Sequence, residues 1–352
     1  LCVADERGLY AYKDGVFSAV EAPFIPGSLT YQDGYFIVHE IGTIFFYIST
    51  LMDPTLWDAA DFASAEGDSD NLVCAHSHVR DLWLFGERST EIWYNSGEAD
   101  FPFARYQGGF LPIGCAAVRS VASSDKAVFW LDDKHQVRMG NGIQTEVVST
   151  FQINYKISQL TQHSEAVGFF YNQEGHGFYQ LTIAGTTLCF DVSTGFWHTR
   201  ASGDDDGRHP AQCHAYFMGK NMVGHYRQGK ILYFDPSAYT NDGEMIRAIR
   251  TAQTVHNNRK YIFHESLEVE FETGVGNADC PAPIASLEWS NDDGHTWGSS
   301  INAAIGANGA YTTRALWRRL GKSRGRVYRI TIEDPVKRII IGAHLGAQGG
   351  KE

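Results

Sequence analysis

Apolar, aromatic-rich runs return along this chain at near-regular intervals, and that spacing limits the fold more than any other feature. They begin near residues 34, 81, 127, 167 and 214, so the steps are 47, 46, 40 and 47 residues. Each run is followed by turn residues and a second run, as in 34–38 then 44–48, 81–86 then 90–94, 127–131 then 136–139, and 167–171 then 178–181. A period of about 40–50 residues with several strands per unit is the signature of a β-propeller, whose four-stranded blades stack around an axis and leave few free edges. The spacing therefore predicts a propeller-like domain over 1–255. Residues 1–20 alternate around turns and supply a partial blade. The chain opens on Leu1 rather than Met, and the expectation is that an N-terminal part of this domain is missing.

The pattern changes after about Thr254. Leu267, Val269 and Phe271 alternate with Glu268, Glu270 and Glu272, which is a strand with one face buried. Further runs at 287–289, 327–332 and 338–341 predict a smaller, sandwich-like β module over 256–345. The Gly-rich polar stretch 346–352 reads as a disordered tail. The fold class is accordingly mostly β: a propeller-like repeat domain followed by a smaller β module. Its 36 Gly, 17 Tyr, 21 Phe and 8 Trp against 10 Pro suit many short strands joined by tight turns.

Charge narrows the partners. The chain carries −12 overall, but residues 1–246 hold 30 Asp/Glu against 15 Lys/Arg, whereas 247–338 hold 13 Lys/Arg against 10 Asp/Glu. An acidic chain does not grip a phosphate backbone through bulk electrostatics, although it can surround one. No run of 18 apolar residues exists, so no membrane anchor is expected. The six cysteines are spread singly, as in a chain that needs no disulfides.

Few motifs carry chemistry. Residues 290–297 read S-x-D-x-G-x-T-W, an Asp-box, in which Ser290, Asp292, Gly294, Thr296 and Trp297 lock a hairpin: the carboxylate takes local N–H groups, Gly294 allows positive φ and Trp297 packs under the turn. The role expected is structural. Cys74, His76 and His78 share one face of a strand, which is adequate chemistry for zinc, yet no fourth ligand is suggested by spacing. The acidic run 204–206 lacks the spacing of a calcium loop and reads as a solvated loop. No nucleophile elbow, phosphate loop or metalloprotease helix is present, so no catalytic residue, cofactor or metal is assigned.

A basic run is sharper. Arg314, Arg318, Arg319, Lys322, Arg324, Arg326 and Arg329 lie within sixteen residues with no acid among them. Nucleic-acid contact, docking onto an acidic protein face and a charge-guarded strand edge are the three readings. The acidity of the chain weighs against the first, and the cluster is carried forward as a candidate protein-docking surface.

The residues also resemble a family. The stretch 83–94 (WLFGERSTEIWY), then 106–110 (YQGGF), Gly114-Cys115-Ala116, 128–131 (VFWL), 190–198 (FDVSTGFWH), the Asp-box region, 314–321 (RALWRRLG) and 326–330 (RVYRI) occur in the order seen in packaged-DNA stabilisation proteins of short-tailed bacteriophages. The similarity runs from about Pro26 to Leu345. It implies a non-enzymatic tail accessory, hub or nozzle protein that completes the head after DNA packaging, closes the portal exit and docks the distal tail component. It further implies a homo-oligomer, a hexameric ring, between a portal-proximal tail adaptor above and a tail needle or distal tail protein below, located in the virion tail and assembled in the host cytoplasm. Six copies of −12 give −72, which suits a conduit that encloses DNA without specific binding. The alternative reading is a sialidase-like or glycan-binding propeller: the first asks for several Asp-boxes on successive blades and a clustered Arg set, whereas one box occurs, outside the repeats, and the second asks for exposed Trp or Tyr platforms.

Overall fold

The computed structural model describes every residue except 6, 204–206, 351 and 352; the acidic run 204–206 therefore lies outside the described residues. Strands make up 55% of the chain and helix 4%. The chain divides into two compact units. One comprises Leu1–Arg200 with Ala211–Tyr233, the other Ala201–Pro210 with Phe234–Glu352. The division thus falls ahead of the expected residue 255.

The first unit is a series of antiparallel meanders met in chain order. A three-stranded sheet spans 2–20, and four-stranded sheets span 26–64, 72–111 and 122–147. The fifth contains Val167–Gln173, His176–Ile183, Thr186–Asp191 and Phe196–Ser202, and the sixth has three strands within 211–233. The only α-helix among the described residues, Phe151–Ser158, links the fourth sheet to the fifth, with Thr150 Oγ1 capping the Ile153 N–H. No described helix is long and apolar enough to cross a membrane.

The repeat spacing read from the sequence is present, but its phase is shifted. In the second, third and fourth sheets the runs near 34, 81 and 127 are second strands (Tyr35–Glu40, Asp81–Gly86, Val128–Leu131), each preceded by a strand of the same sheet: Pro26–Gln32, Leu72–His78 or Ala122–Ser123. Those leading strands are short, polar or begin with Pro, so apolar density passes over them. The second strands are conspicuous because neighbouring sheets bury both their faces. Leu82 and Leu84 join Ile37, Phe46 and Ile48 of the second sheet, whereas Trp83 and Phe85 join Val128 and Trp130 of the fourth. The Trp83 and Trp130 rings lie 5.8 Å apart. Equivalent joints connect Leu9 to Val38 and Phe129 and Leu131 to Tyr179 and Leu181. Between the fifth and sixth sheets Phe169 stacks on His214 at 5.7 Å.

The second unit is a sandwich of two sheets. Ala248–Thr251, Gly325–Ile332, Ile284–Ser290 and Ile301–Ala304 form one, and Ile262–Phe271 centres the other between Ile340–Gly349 and the strands Ala315–Arg318 and Lys322–Ser323. Leu267, Val269, Phe271 and Trp317 from the second sheet meet Ala285, Leu287, Tyr328 and Ile330 from the first. The Trp317 indole N–H donates to Ile301 O at 2.7 Å and ties the sheets together. The tail expectation needs correction. Residues 346–349 are the end of a strand paired with Ile262–Ser266, because small side chains ask for no burial while their backbone groups complete the ladder.

Candidate functional site

The residues that carry the family resemblance are fixtures of the sheet joints. In the turn 86–89, the Asp70 carboxylate accepts the Arg88 N–H at 2.6 Å, the Ser89 N–H at 3.0 Å and the Ser89 hydroxyl at 2.8 Å. A side chain on Gly86 would strike that carboxylate, since its Cβ would lie 2.5 Å from Oδ2. Buried Glu91 accepts the Trp93 indole N–H at 2.7 Å and Arg105 Nη1 at 3.1 Å. Gly114 crosses the 87–88 backbone so closely that a Cβ would lie 2.2 Å from Glu87 O. Its N–H donates to Asp133 Oδ1 at 2.9 Å and its carbonyl accepts the Trp130 indole N–H at 3.2 Å. In the stretch 190–198, Asp191 accepts the Ser193 N–H and the Thr194 hydroxyl, at 2.9 and 2.8 Å, and closes a turn.

Cys74, His76 and His78 lie on the strand Leu72–His78. Cys74 lies in the apolar cluster between the third and fourth sheets, where burial pushes its thiol up to about 12. His76 meets Ser123 Oγ at 3.1 Å. Burial holds the His76 imidazole down to about 4. No group of three His, Cys, Asp or Glu among the described residues is arranged to hold a metal ion.

The Asp-box residues of 290–297 bond to one another. Ser290 Oγ donates to Asp292 Oδ1 at 2.6 Å and accepts the Gly294 N–H at 2.8 Å. Asp292 also accepts the Thr296 N–H at 2.8 Å and its hydroxyl at 2.6 Å. The Ser290 and Thr296 bonds hold the Asp292 carboxyl well below the usual carboxylate range. Gly294 sits at φ +96° and Asp293 at +56°, the left-handed conformation the turn demands. Trp297 lies against the turn, its Cζ2 3.7 Å from where a Cβ on Gly294 would stand, but it is half-buried rather than core, and the Arg329 guanidinium covers its ring.

The basic cluster separates into two groups. Arg314 donates through Nε to Glu268 at 2.6 Å and lowers that carboxyl. Arg329 donates through Nε to Glu288 at 2.9 Å. Arg326 is only 2% exposed. It donates to Asn291 Oδ1 at 2.8 Å and to the Leu320 carbonyl. Beside it the Tyr328 hydroxyl lies 2.8 Å from His264 Nδ1, and burial, then the Arg326 charge, hold His264 down to about 4. These three arginines are taken up within the sandwich, Arg314 and Arg329 in ion pairs between strands of one sheet and Arg326 in buried hydrogen bonds. Arg318, Arg319, Lys322 and Arg324 are exposed and, among the described residues, have no carboxylate within ion-pair distance.

Sequence reasoning missed that Arg259, Lys260 and Tyr261 share this corner. Lys322 Nζ lies 4.9 Å and Arg324 Cζ 4.3 Å from the Tyr261 ring centre, and Arg324 donates to Arg259 O at 2.7 Å. The available signal was two more cations at a turn on the far side of the module, more than fifty residues from the run.

Comparison with known families decides the identity. Residues 2–239 match the family described as Bacteriophage P22 Gp10, beta-propeller, and residues 247–348 match Bacteriophage P22 Gp10, beta-sandwich. The chain belongs to the bacteriophage P22 Gp10 family. The two Gp10 matches follow the order of the two units, and a Gp10-family chain is a structural component of the phage tail and hence of the virion. Among curated protein sequences none is significantly similar. Solved structures give only remote likeness. The dihydro-heme d1 dehydrogenase NirN is 12% identical with a TM-score of 0.46, over 92% of this chain and 65% of that one. The extracellular domain of a hybrid two-component system from B. thetaiotaomicron is 11% identical with a TM-score of 0.40, over 66% of this chain and 31% of that one. The Gp10-family chain thus spans less than two thirds of either, and neither likeness carries an argument about its function.

Proposed function

We propose that this chain completes the phage head after DNA packaging, closes the portal exit to retain the DNA and offers a docking surface to the distal tail component. It does so as a non-enzymatic part, in a ring of several copies, six in the family it resembles, between a tail adaptor above and a tail needle or distal tail protein below. It joins the particle in the host cytoplasm. The observation that carries this reading is the pair of Gp10 matches, in order, over 2–239 and 247–348. The acidic balance supports it, because a conduit with net negative charge does not hold the duplex it encloses. Many of the motif residues are taken up in turn and joint hydrogen bonds, as at Asp70, Glu91 and Asp191, which suits scaffolding rather than chemistry.

The test is addition of the purified chain to DNA-filled heads that lack it, followed by nuclease. Protection of the packaged DNA is the expected result. Heads that stay nuclease-sensitive with the protein bound overturn the retention role, and hydrolysis of a fluorogenic sialoside by the purified chain overturns the non-enzymatic reading.

A further inference from the structure

Two unneutralised surfaces of opposite sign stand on this chain. The first is the corner of the sandwich that carries Arg259, Lys260, Arg319, Lys322 and Arg324, with Lys322 and Arg324 over the Tyr261 ring. Backbone bonds shape it. Arg319 takes φ +60° and donates its N–H to Glu265 O at 2.8 Å, His264 N–H donates to Gly321 O at 2.8 Å, and Arg324 is pinned to Arg259 O. One exposed carboxylate, Glu265, lies nearby on the strand Ile262–Phe271, and Phe263, 48% exposed, adds an apolar contact.

The second surface is the outer edge of the second sheet. From residue 14 to residue 79 the sequence contains ten Asp/Glu and no Lys or Arg. The edge strand Trp57–Ser64 and the loop after it present Asp58, Asp61, Glu66 and Asp68. Three of them bond local N–H and hydroxyl groups: Asp58 takes the Ala60 N–H, Glu66 the Ser64 hydroxyl and Asp68 the Ser69 N–H. Among the described residues none of the four pairs with a cation. Partial burial, then the neighbouring Asp58 charge, raise the Asp61 carboxyl. Leu56 and Phe62 stand exposed beside the acids, at 57% and 43%.

We infer that the basic corner Arg259/Lys260/Arg319/Lys322/Arg324 of one copy docks on the acidic edge Asp58/Asp61/Glu66/Asp68 of a second copy of this chain. The inference rests on the reading above that several copies work together, and it names the surfaces that join them. Charge complementarity selects the occupant. The first unit holds 24 Asp/Glu against 14 Lys/Arg, and its longest cation-free stretch is where the edge lies. Arginine forks suit carboxylates better than point charges do, and the exposed aromatics flanking the ions, Phe263 against Phe62, supply an apolar contact of the kind such a joint needs. Nucleic acid is disfavoured because Tyr261 already has cations against its ring and because the chain as a whole carries −12. The two surfaces differ, so the contact is head-to-tail, the kind that closes into a ring when the rotation between copies permits.

A charge swap tests this on the full chain. The set R319E/K322E/R324E and the set D58K/D61K/E66K each place like charges across the joint. Each should weaken self-association about tenfold or more in sedimentation velocity and native mass spectrometry, with a loss that shrinks as salt rises. The chain carrying both sets restores opposite signs and should associate within about threefold of the parent. All the sites but half-buried Asp61 are exposed, and an unchanged melting midpoint confirms that each variant folds. A parent that stays monomeric, single sets that associate like the parent, or a combined chain that does not recover would each overturn the inference. So would a parent that shifts duplex DNA at moderate salt, with R319E/K322E/R324E losing DNA but not self-association. Nuclease protection of filled heads reads the retention role separately: protection together with unaffected charge variants removes only this joint.

Discussion

The Arg329 guanidinium lies 3.8 Å from the centre of the Trp297 ring. The same side chain holds Glu288 on the adjacent strand at 2.7 Å. Trp297 ends the Asp-box and Arg329 belongs to the basic run, so two motifs that look independent in sequence form one device in the sandwich. A cation over an indole face gains from the ring quadrupole while its stem covers apolar surface. The arginine thereby serves the module that carries it, and its charge is already committed.

Replacing the tryptophan should therefore cost less than removal of a core aromatic. For Trp297→Ala we expect the second unit to lose about 1–2 kcal/mol, the range of a partly desolvated cation–π contact. Hydrogen exchange of the strand Ile284–Ser290 under increasing urea measures it. A loss as large as the roughly 3–5 kcal/mol of a buried aromatic would show that the ring is core; an unchanged midpoint would show that the stack contributes nothing.

Gly114→Ala should destabilise the joint between the third and fourth sheets. The new Cβ would meet backbone atoms, 2.2 Å from Glu87 O and 2.5 Å from Arg88 N, which have no rotamer to move away. Overpacking of this kind costs about 1–3 kcal/mol, and here it also disturbs the Cys115 N–H bond to Gly86 O at 2.9 Å. The control is Gly229→Ala, where no atom lies within 4 Å of the added carbon. Urea unfolding of both variants decides the matter. Equal midpoints would mean that the crossing relaxes at no cost.

Acid should loosen the first unit before its carboxylates titrate. Burial holds the His39 imidazole down to about 4, and the Ser28 N–H, which donates to Nδ1 at 2.9 Å, occupies one of the lone pairs a proton could take. Gly27 leaves the room for this ring, since a Cβ there would lie 2.2 Å from it. Between about pH 6.5 and 4 the unfolded histidine binds a proton that the folded one refuses. Stability is thus complete above 6.5 and falls as the pH drops toward 4, by about 3 kcal/mol for a group shifted this far. His76 acts in the same direction. Urea midpoints at pH 7.5, 5.5 and 4.5 give the slope, and His39→Gln should flatten it. An equally steep slope in that variant would place the proton uptake elsewhere.

Much of this was legible in the chain because the interactions concerned are short in sequence. The Asp-box bonds connect residues at most four apart, so the motif alone contains both donors and acceptors. The alternation of Leu267, Val269 and Phe271 with glutamates needs only the two-residue period of a strand. The blade spacing survives because each unit must supply strands buried on both faces, as Leu82–Phe85 are. The phase of the blades was not legible, since leading strands such as Ala122–Ser123 carry little apolar mass.

The sequence by itself determined a repeated β architecture with a second β module, a locked hairpin at 290–297 and membership in an ordered set of family motifs. Only the tertiary structure decided which charges remain available. Arg326 and Arg329 look like Arg319 and Arg324 in a linear run, yet the first pair finds Asn291 and Glu288 at 35 and 41 residues' distance, and the second pair has no counter-ion among the described residues. Strand register brings those partners together, and register is set by how the two sheets bury their apolar faces, a property of the whole module and of no single stretch of it.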